Sequence, residues 1–264
     1  MRRISLASGV LPEFGPVETI EAAAAGGFEA VGLWVEPENW DAAMTRQCRA
    51  ALAYSGLELL DVEVIWIKPD SDFAMHKRSI DIGTELGARN VLCVSSDPDM
   101  GATVEVLAAL CEHAAAAEMR VALEFGIFTE VKTLTAALKI LEAVRHPARA
   151  LLVDPIHVDR SGTTASDLKR VPASLLPYAQ FCDAPAERPD PADFDAIISD
   201  AIDLRRQCGQ GSLPLDAILQ ALPVDIPLSI ELRSRALREQ CPDPKERARV
   251  TADITRKWLS EHES

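Results

Sequence analysis

With 264 residues, 48% of them hydrophobic and 26% charged, the chain can bury one large core but would make two small ones, and no linker-like stretch divides it. A formal net charge of −14 with no basic stripe excludes nucleic acid and anionic membrane as expected partners. The six cysteines lack CxxC spacing and mostly sit among apolar neighbours, so they are expected to be buried thiols in a reducing compartment. The basic start is interrupted by Pro12 and Glu13 too early for a signal peptide, and no apolar run approaches the ~20 residues that span a bilayer. The expected location is cytoplasmic.

In chain order, short runs that are apolar throughout predict strands over 4–8, 30–34, 57–65, 90–95, 121–125, 150–154, 178–183 and 228–232. Their lack of alternation is how strands read when both faces are buried in a parallel sheet. Between them, Ala-rich amphipathic runs predict helices near 17–25, 39–55, 73–86, 101–118, 133–144 and 163–170, one within 192–222, and one over 244–261. The last has the best signals: Asp243 can cap it, Pro244 fits the first helical position, and Glu246 completes a capping box. Its apolar Val250, Ile254 and Trp258 recur every four residues, giving one face to pack. Gly26-Gly27, Gly56 and Gly87 fall where helices should stop. Eight such alternations predict a single-domain (β/α)8 TIM barrel over residues 1–264, rather than an open doubly wound sheet. No Gly-x-Gly-x-x-Gly run follows the first strand, which removes the best sign of a dinucleotide fold.

Three predicted strands end in a carboxylate: Val121-Ala122-Leu123-Glu124, Leu151-Leu152-Val153-Asp154 and Leu228-Ser229-Ile230-Glu231. Any one of these acids reads equally well as a helix cap or the partner of an arginine. Together, in a barrel whose strand C-termini meet on one rim, Glu124, Asp154 and Glu231 are expected to converge. Crowded carboxylates repel and take up protons unless a cation balances them. Oxygen-rich ligation suits Mg2+ or Mn2+ and does not exclude Zn2+ or Co2+. The seventh strand brings Gln180 to the same rim, as a fourth ligand through its amide oxygen or as a core glutamine bonded to backbone.

These strand ends, with the runs Ala22-Ala23-Ala24-Ala25-Gly26-Gly27-Phe28-Glu29-Ala30-Val31, Leu86-Gly87-Ala88-Arg89-Asn90-Val91 and Ser229-Ile230-Glu231, resemble the xylose-isomerase-like TIM-barrel superfamily of sugar phosphate isomerases and epimerases. That superfamily also holds hydroxypyruvate isomerases, inosose dehydratases and dehydroshikimate dehydratases. The resemblance implies one divalent metal ion on Glu124, Asp154, Gln180 and Glu231. Gln180 stands where His is commonest in the family, which is similar to the hydroxypyruvate isomerase branch, as is the run Gln180-Phe181-Cys182-Asp183-Ala184-Pro185. The harder oxygen donor favours Mn2+ or Mg2+, with Zn2+ or Co2+ as alternatives. The implied reaction moves a proton beside the carbonyl of a small keto sugar or hydroxy-keto acid through an enediolate, with Glu124 and Glu231 as the acid/base pair. A dehydratase would begin with the same step and then expel a hydroxyl as water. A barrel that binds a ligand without catalysis is the remaining reading. DNA hydrolysis, known among endonuclease relatives of this barrel, needs several more histidines than the five present.

The resemblance also bears on groups around the metal. His157 matches an Asp-x-x-His pattern in which the histidine bonds a substrate oxygen, and Pro155 is expected to block a regular continuation so that a turn carries it over the cavity. Its alternative is an exposed loop histidine. Glu130 matches a second substrate-side acid of the ketose epimerases, or caps a surface helix ahead of Lys132. Arg188, Arg205 and Arg206, between strands seven and eight, are the candidate cations for an anionic substrate; Arg188 lies two places from the substrate-binding arginine of those epimerases, and Arg205 and Arg206 open a run similar to the family's Arg…Pro-Gly-x-Gly loop, with Cys208 in place of Pro. Trp34 and Trp66 end strands two and three, where they either face a ring-shaped substrate or pack under loops. Family members commonly assemble, which implies a homodimer or homotetramer.

Overall fold

The computed structural model of the chain describes residues 2–262. Its strands are β1 (Ile4–Leu6), β2 (Ala30–Trp34), β3 (Glu58–Ile67), β4 (Asn90–Ser95), β5 (Arg120–Glu124), β6 (Arg149–Leu152), β7 (Ala179–Phe181) and β8 (Leu228–Ile230). Its helices are α1 (Pro16–Gly26), α2 (Ala42–Ser55), α3 (Phe73–Leu86), α4 (Met100–Ala115), α5 (Leu134–Val144), α6 (Pro155–Arg160), α7 (Ala165–Leu168), α8 (Phe194–Asp203), α9 (Leu215–Ala221), α10 (Arg235–Gln240) and α11 (Pro244–His262). The strands form one eight-stranded sheet in the order β6-β5-β4-β3-β2-β1-β8-β7, and each adjacent pair is parallel. Across the remaining seam the Gln180 N–H donates to the Val153 carbonyl at 2.9 Å, which brings β7 against the end of β6 and nearly closes the barrel. This is the (β/α)8 architecture expected from the alternation of apolar runs.

Strand parity sets what reaches the mouth. Val121, Leu123, Leu151, Val153, Leu228 and Ile230 belong to the large core that the helices cover, whereas Ala122, Ala150, Leu152 and Tyr178 belong to a second cluster inside the barrel. Side chains two residues apart share a face of a strand. Glu124 therefore follows Ala122 inward, Asp154 follows Leu152, and Gln180 follows Tyr178. Glu231 follows the buried Ser229 in the same way.

The local signals hold at the helix ends. Gly27, Gly56 and Gly87 adopt φ of 75°, 72° and 83° as left-handed C-caps, and the Glu246 N–H donates to Asp243 Oδ1 at 2.8 Å. The structure departs from expectation in the second half. Pro155 begins α6 instead of preventing a helix, because a first-turn residue needs no N–H and proline's φ already suits it. The segment 192–222 divides into α8 and α9, and α10 is an additional short helix capped by Ser234, too brief to show an apolar period.

Candidate active site

Five of the sequence-predicted residues, Trp34, Trp66, Glu124, His157 and Glu231, line one cavity of about 350 Å3 at the C-terminal mouth of the barrel. Asp154 and Gln180 are wholly buried beside it, on the two strands between those that supply Glu124 and Glu231. The arc is therefore continuous, with one polar side chain from each of four successive strand ends. Glu130 lies apart, half-exposed and 3.7 Å from Lys132 Nζ. Arg188 also stays outside the cavity, as an exposed fork whose Nε and Nη2 each reach Asp159 at 2.9 Å.

The closest grouping joins Glu124, Asp154 and His157, whose ligand atoms all fall within 4.8 Å of one another. His157 Nε2 is 3.9 Å from Glu124 Oε1 and 3.9 Å from Asp154 Oδ2. The imidazole thus sits among the acids rather than above them. Asp154 serves two purposes: Oδ1 accepts the Ile156 N–H at 3.1 Å and caps α6, while Oδ2 accepts from Arg205. The helix cap and the site therefore use different oxygens of one carboxylate. Phe128 lies against the His157 ring at 4.8 Å between centroids and meets Trp66 edge-on at 6.0 Å, forming an apolar wall.

Burial sets the electrostatics. The Glu124 carboxyl is pushed well above the usual range, first by desolvation and then by Asp154 and Glu231. His157 is pushed down to about 3 by desolvation and then by Arg205, so the ring is neutral and has a lone pair to offer. Arg205, named in the sequence as a cation for anionic substrates, is buried inside the acid cluster. It bonds Asp154 and the Glu231 carbonyl, and its Nη2 lies 3.6 Å from Glu231 Oε2. It is an internal counter-charge, and its own charge is consumed there.

Two polar groups that the sequence reading gave no role stand in the cavity wall. Arg233 Nε donates to Glu231 Oε1 at 2.9 Å. Its signal was parity, since a residue two places beyond an inward-facing strand end lies on the same side. Glu63, on β3, is buried with Oε1 unpartnered, and burial followed by Glu231 pushes its carboxyl up to about 7. Asp61 follows the same inward course, receives the Tyr178 hydroxyl at 3.1 Å, and is also raised, first by burial and then by Glu63.

The chemistry of these donors fits a divalent cation. Glu124 Oε1 and both polar atoms of the Gln180 amide are buried with no hydrogen-bond partner. Such atoms are costly unless water or an ion meets them. Carboxylate, amide and neutral imidazole donors suit Mn2+, Mg2+ or Zn2+.

The loop that carries Arg205 is organised from β7. Asp183, just past that strand, accepts the N–H groups of Gly209 at 3.1 Å, Gly211 at 2.9 Å, Leu213 at 3.0 Å and Ala184 at 2.9 Å. It also exchanges backbone bonds with Arg206 at 2.9 and 2.8 Å. Removing a buried acceptor of several N–H groups leaves them unsatisfied, so Asp183→Ala is expected to lower unfolding free energy by roughly 3 kcal/mol or more in urea titration. Asp183→Asn should recover part of that loss.

A profile of the xylose isomerase-like TIM barrel family matches residues 20–258, and the chain belongs to that family. A 3-dehydroshikimate dehydratase of Pseudomonas putida is 27% identical over 67% of this chain and 29% of its own, so the chain spans less than a third of that relative. The solved IOLI protein with a bound zinc atom superposes with a TM-score of 0.85 at 17% identity, covering 98% of this chain and 99% of that one. D-psicose 3-epimerase from Clostridium cellulolyticum, solved with D-tagatose, superposes with a TM-score of 0.75 at 14% identity over 97% and 99% of the two chains. Likenesses at that identity show a common fold.

Proposed function

We propose that the protein moves a proton at the carbon beside a carbonyl of a small oxygenated compound, with isomerisation or epimerisation as the outcome. The observation that carries this reading is the pair Glu124 and Glu231, which face one cavity from strands three apart around the barrel. Two carboxyls that reach a carbon from different sides can remove a proton on one side and return it on another. Glu231 is oriented by Arg233, while Glu124 keeps an unpartnered buried oxygen for a proton or a ligand. Glu124, Asp154 and His157 would hold a divalent ion, with Gln180 and Glu231 as the neighbouring donors. When bound, that ion supplies an electrostatic sink for charge that develops on the carbonyl oxygen. Trp66 and Phe128 would set an apolar wall beside the reacting carbon.

The test is deuterium exchange. The purified protein with Mn2+ is incubated in D2O with ketoses, hydroxy-keto acids and cyclic hydroxy-ketones, and loss of the proton beside the carbonyl is followed by NMR. No exchange with any of these classes would overturn the reading. Dehydration is a second reading, favoured by the Pseudomonas relative and by the apolar share of the cavity wall that Val64, Leu92, Val94 and Ile198 contribute. It would be recognised by growth of the ultraviolet absorbance of a conjugated carbonyl product.

The same assay tests the support of Glu231. A methyl group at Gly9 would lie 2.5 Å from Glu231 Oε1 and 2.6 Å from Arg233 Nε. Only glycine leaves room for that ion pair. Gly9→Ala is expected to reduce exchange at least tenfold, in line with the ~10²–10⁴-fold weight of a positioned acid or base, and to lower Tm, because the methyl also meets Arg233 Cγ at 2.9 Å and must displace a largely buried ion pair.

A further inference from the structure

A second cavity, of about 410 Å3, adjoins the reacting one and shares Trp34 and Arg233 with it. Its other walls include Phe14, Trp40 and Met44, with Thr19 from α1. None of the acids grouped around His157 lines it. Its size lies within the ~300–1,000 Å3 typical of small-ligand sites. Three features bear on what it would take.

Arg233 stands at the neck. Its Nε is held by Glu231, whereas neither of its Nη atoms has an acceptor among the described residues, and the side chain is 21% exposed. A guanidinium anchored through Nε keeps a planar pair of donors at the other edge, which matches a carboxylate. The first turn of α1 also faces this cavity through Gly15 and Pro16, and there the Glu18 carboxylate reaches back to accept the Gly15 N–H at 3.0 Å. That acid offsets the positive end of the helix, so the positive charge offered to a ligand here is that of Arg233. The remaining walls are mainly apolar and aromatic, which suits a hydrocarbon body and not a fully hydroxylated chain; the acid among them, Glu36, is exposed and accepts from Asn39 Nδ2 at 3.1 Å.

We propose that this cavity is a subsite for a carboxylate-bearing, apolar-bodied part of the substrate, with Arg233 receiving the carboxylate. The substrate would then be a keto acid with a ring or alkyl portion, its carbonyl toward Glu124 and Glu231 and its carboxylate at the neck. Placing both ends on one molecule rests on the function proposed above. The subsite itself rests on Arg233 and the cavity alone.

The probes are benzoate and its uncharged counterpart benzyl alcohol, titrated into the full-length protein with and without Mn2+ and followed by tryptophan fluorescence and calorimetry. Benzoate is expected to bind at least tenfold more tightly than benzyl alcohol. Arg233→Gln should weaken benzoate at least tenfold and leave benzyl alcohol within twofold, while Arg233→Lys should retain part of the preference. Met44→Glu puts a negative charge in the cavity without touching Glu231, and should weaken benzoate to the same degree. Equal binding of the two probes, or benzoate affinity within twofold of wild type in both Arg233→Gln and Met44→Glu, overturns the subsite. Failure to bind Mn2+ or to exchange deuterium, with the benzoate pattern intact, would overturn the proposed function and leave the subsite standing.

Discussion

Glu124→Gln is expected to reduce deuterium exchange by ~10²–10⁴-fold, the usual weight of a positioned general acid or base, and to weaken Mn2+ binding at least tenfold in calorimetric titration. The substitution is nearly isosteric and neutral, and burial already pushes this carboxyl toward its neutral form. The fold should therefore survive, so lost turnover would report chemistry rather than unfolding. Glu231→Gln should behave differently. Glu231 is the partner of Arg233 at 2.9 Å and lies 3.6 Å from the buried Arg205, so its removal leaves guanidinium charge uncompensated. A buried ion pair broken on one side costs on the order of 3 kcal/mol, and that variant should lose both turnover and stability. Equal turnover and Mn2+ affinity in wild type and Glu124→Gln would remove Glu124 from the site.

Without divalent metal, the stability of the wild type is expected to fall relative to Glu63→Gln as pH rises from about 5 to 8. Burial, and then Glu231, push the folded Glu63 carboxyl up to about 7 from an ordinary value of 4.5. Between those values the folded chain keeps a proton that the unfolded chain releases. The contribution is therefore fully present below 4.5 and is lost as pH climbs through about 7. Glu124 and Asp61 are raised in the same direction, and the wild type and Glu63→Gln share their contribution. For Glu63 alone the loss is on the order of 3 kcal/mol, or roughly 5–10 °C in Tm for a chain of this size. Asp159 and Asp203, which arginines hold low despite burial, lose their contribution only below the usual 3.8, outside this window. Saturating Mn2+ should cancel most of the decline, because a cation among the acids replaces the protons that they would otherwise retain. Thermal scans at pH 5, 6, 7 and 8, with EDTA or Mn2+, measure both effects. A wild-type profile parallel to that of Glu63→Gln would show that Glu63 is ionised freely in the folded chain.

The barrel was legible because its signals are local. A buried parallel strand reads as a near-continuous apolar run, a helix repeats its apolar residues at helical spacing, and Gly27, Gly56, Gly87 and Asp243 act on their own neighbours. The candidate site was legible where it followed strand parity, which brings Glu124, Asp154 and Glu231 inward at the ends of β5, β6 and β8. Gln180 follows the same rule.

Pairings between distant segments were not legible, since spacing in sequence carries no distance in space. Arg205 meets Asp154 across 51 positions, which turns an expected substrate cation into an internal counter-charge. His157 reaches Glu124 and Asp154 because Asp154 caps a helix that Pro155 starts, and that helix turns the ring back among the acids. Glu130 matches a family position by count and Arg188 falls two places from one, yet both lie outside the cavity, Glu130 near Lys132 and Arg188 on Asp159. Sequence by itself determined which strands exist and which polar residues face inward, through the period of two along each strand. Only the closed barrel decided which of those groups touch, and therefore which carry charge, which are neutral and which remain open to a ligand, because those properties depend on distance and burial.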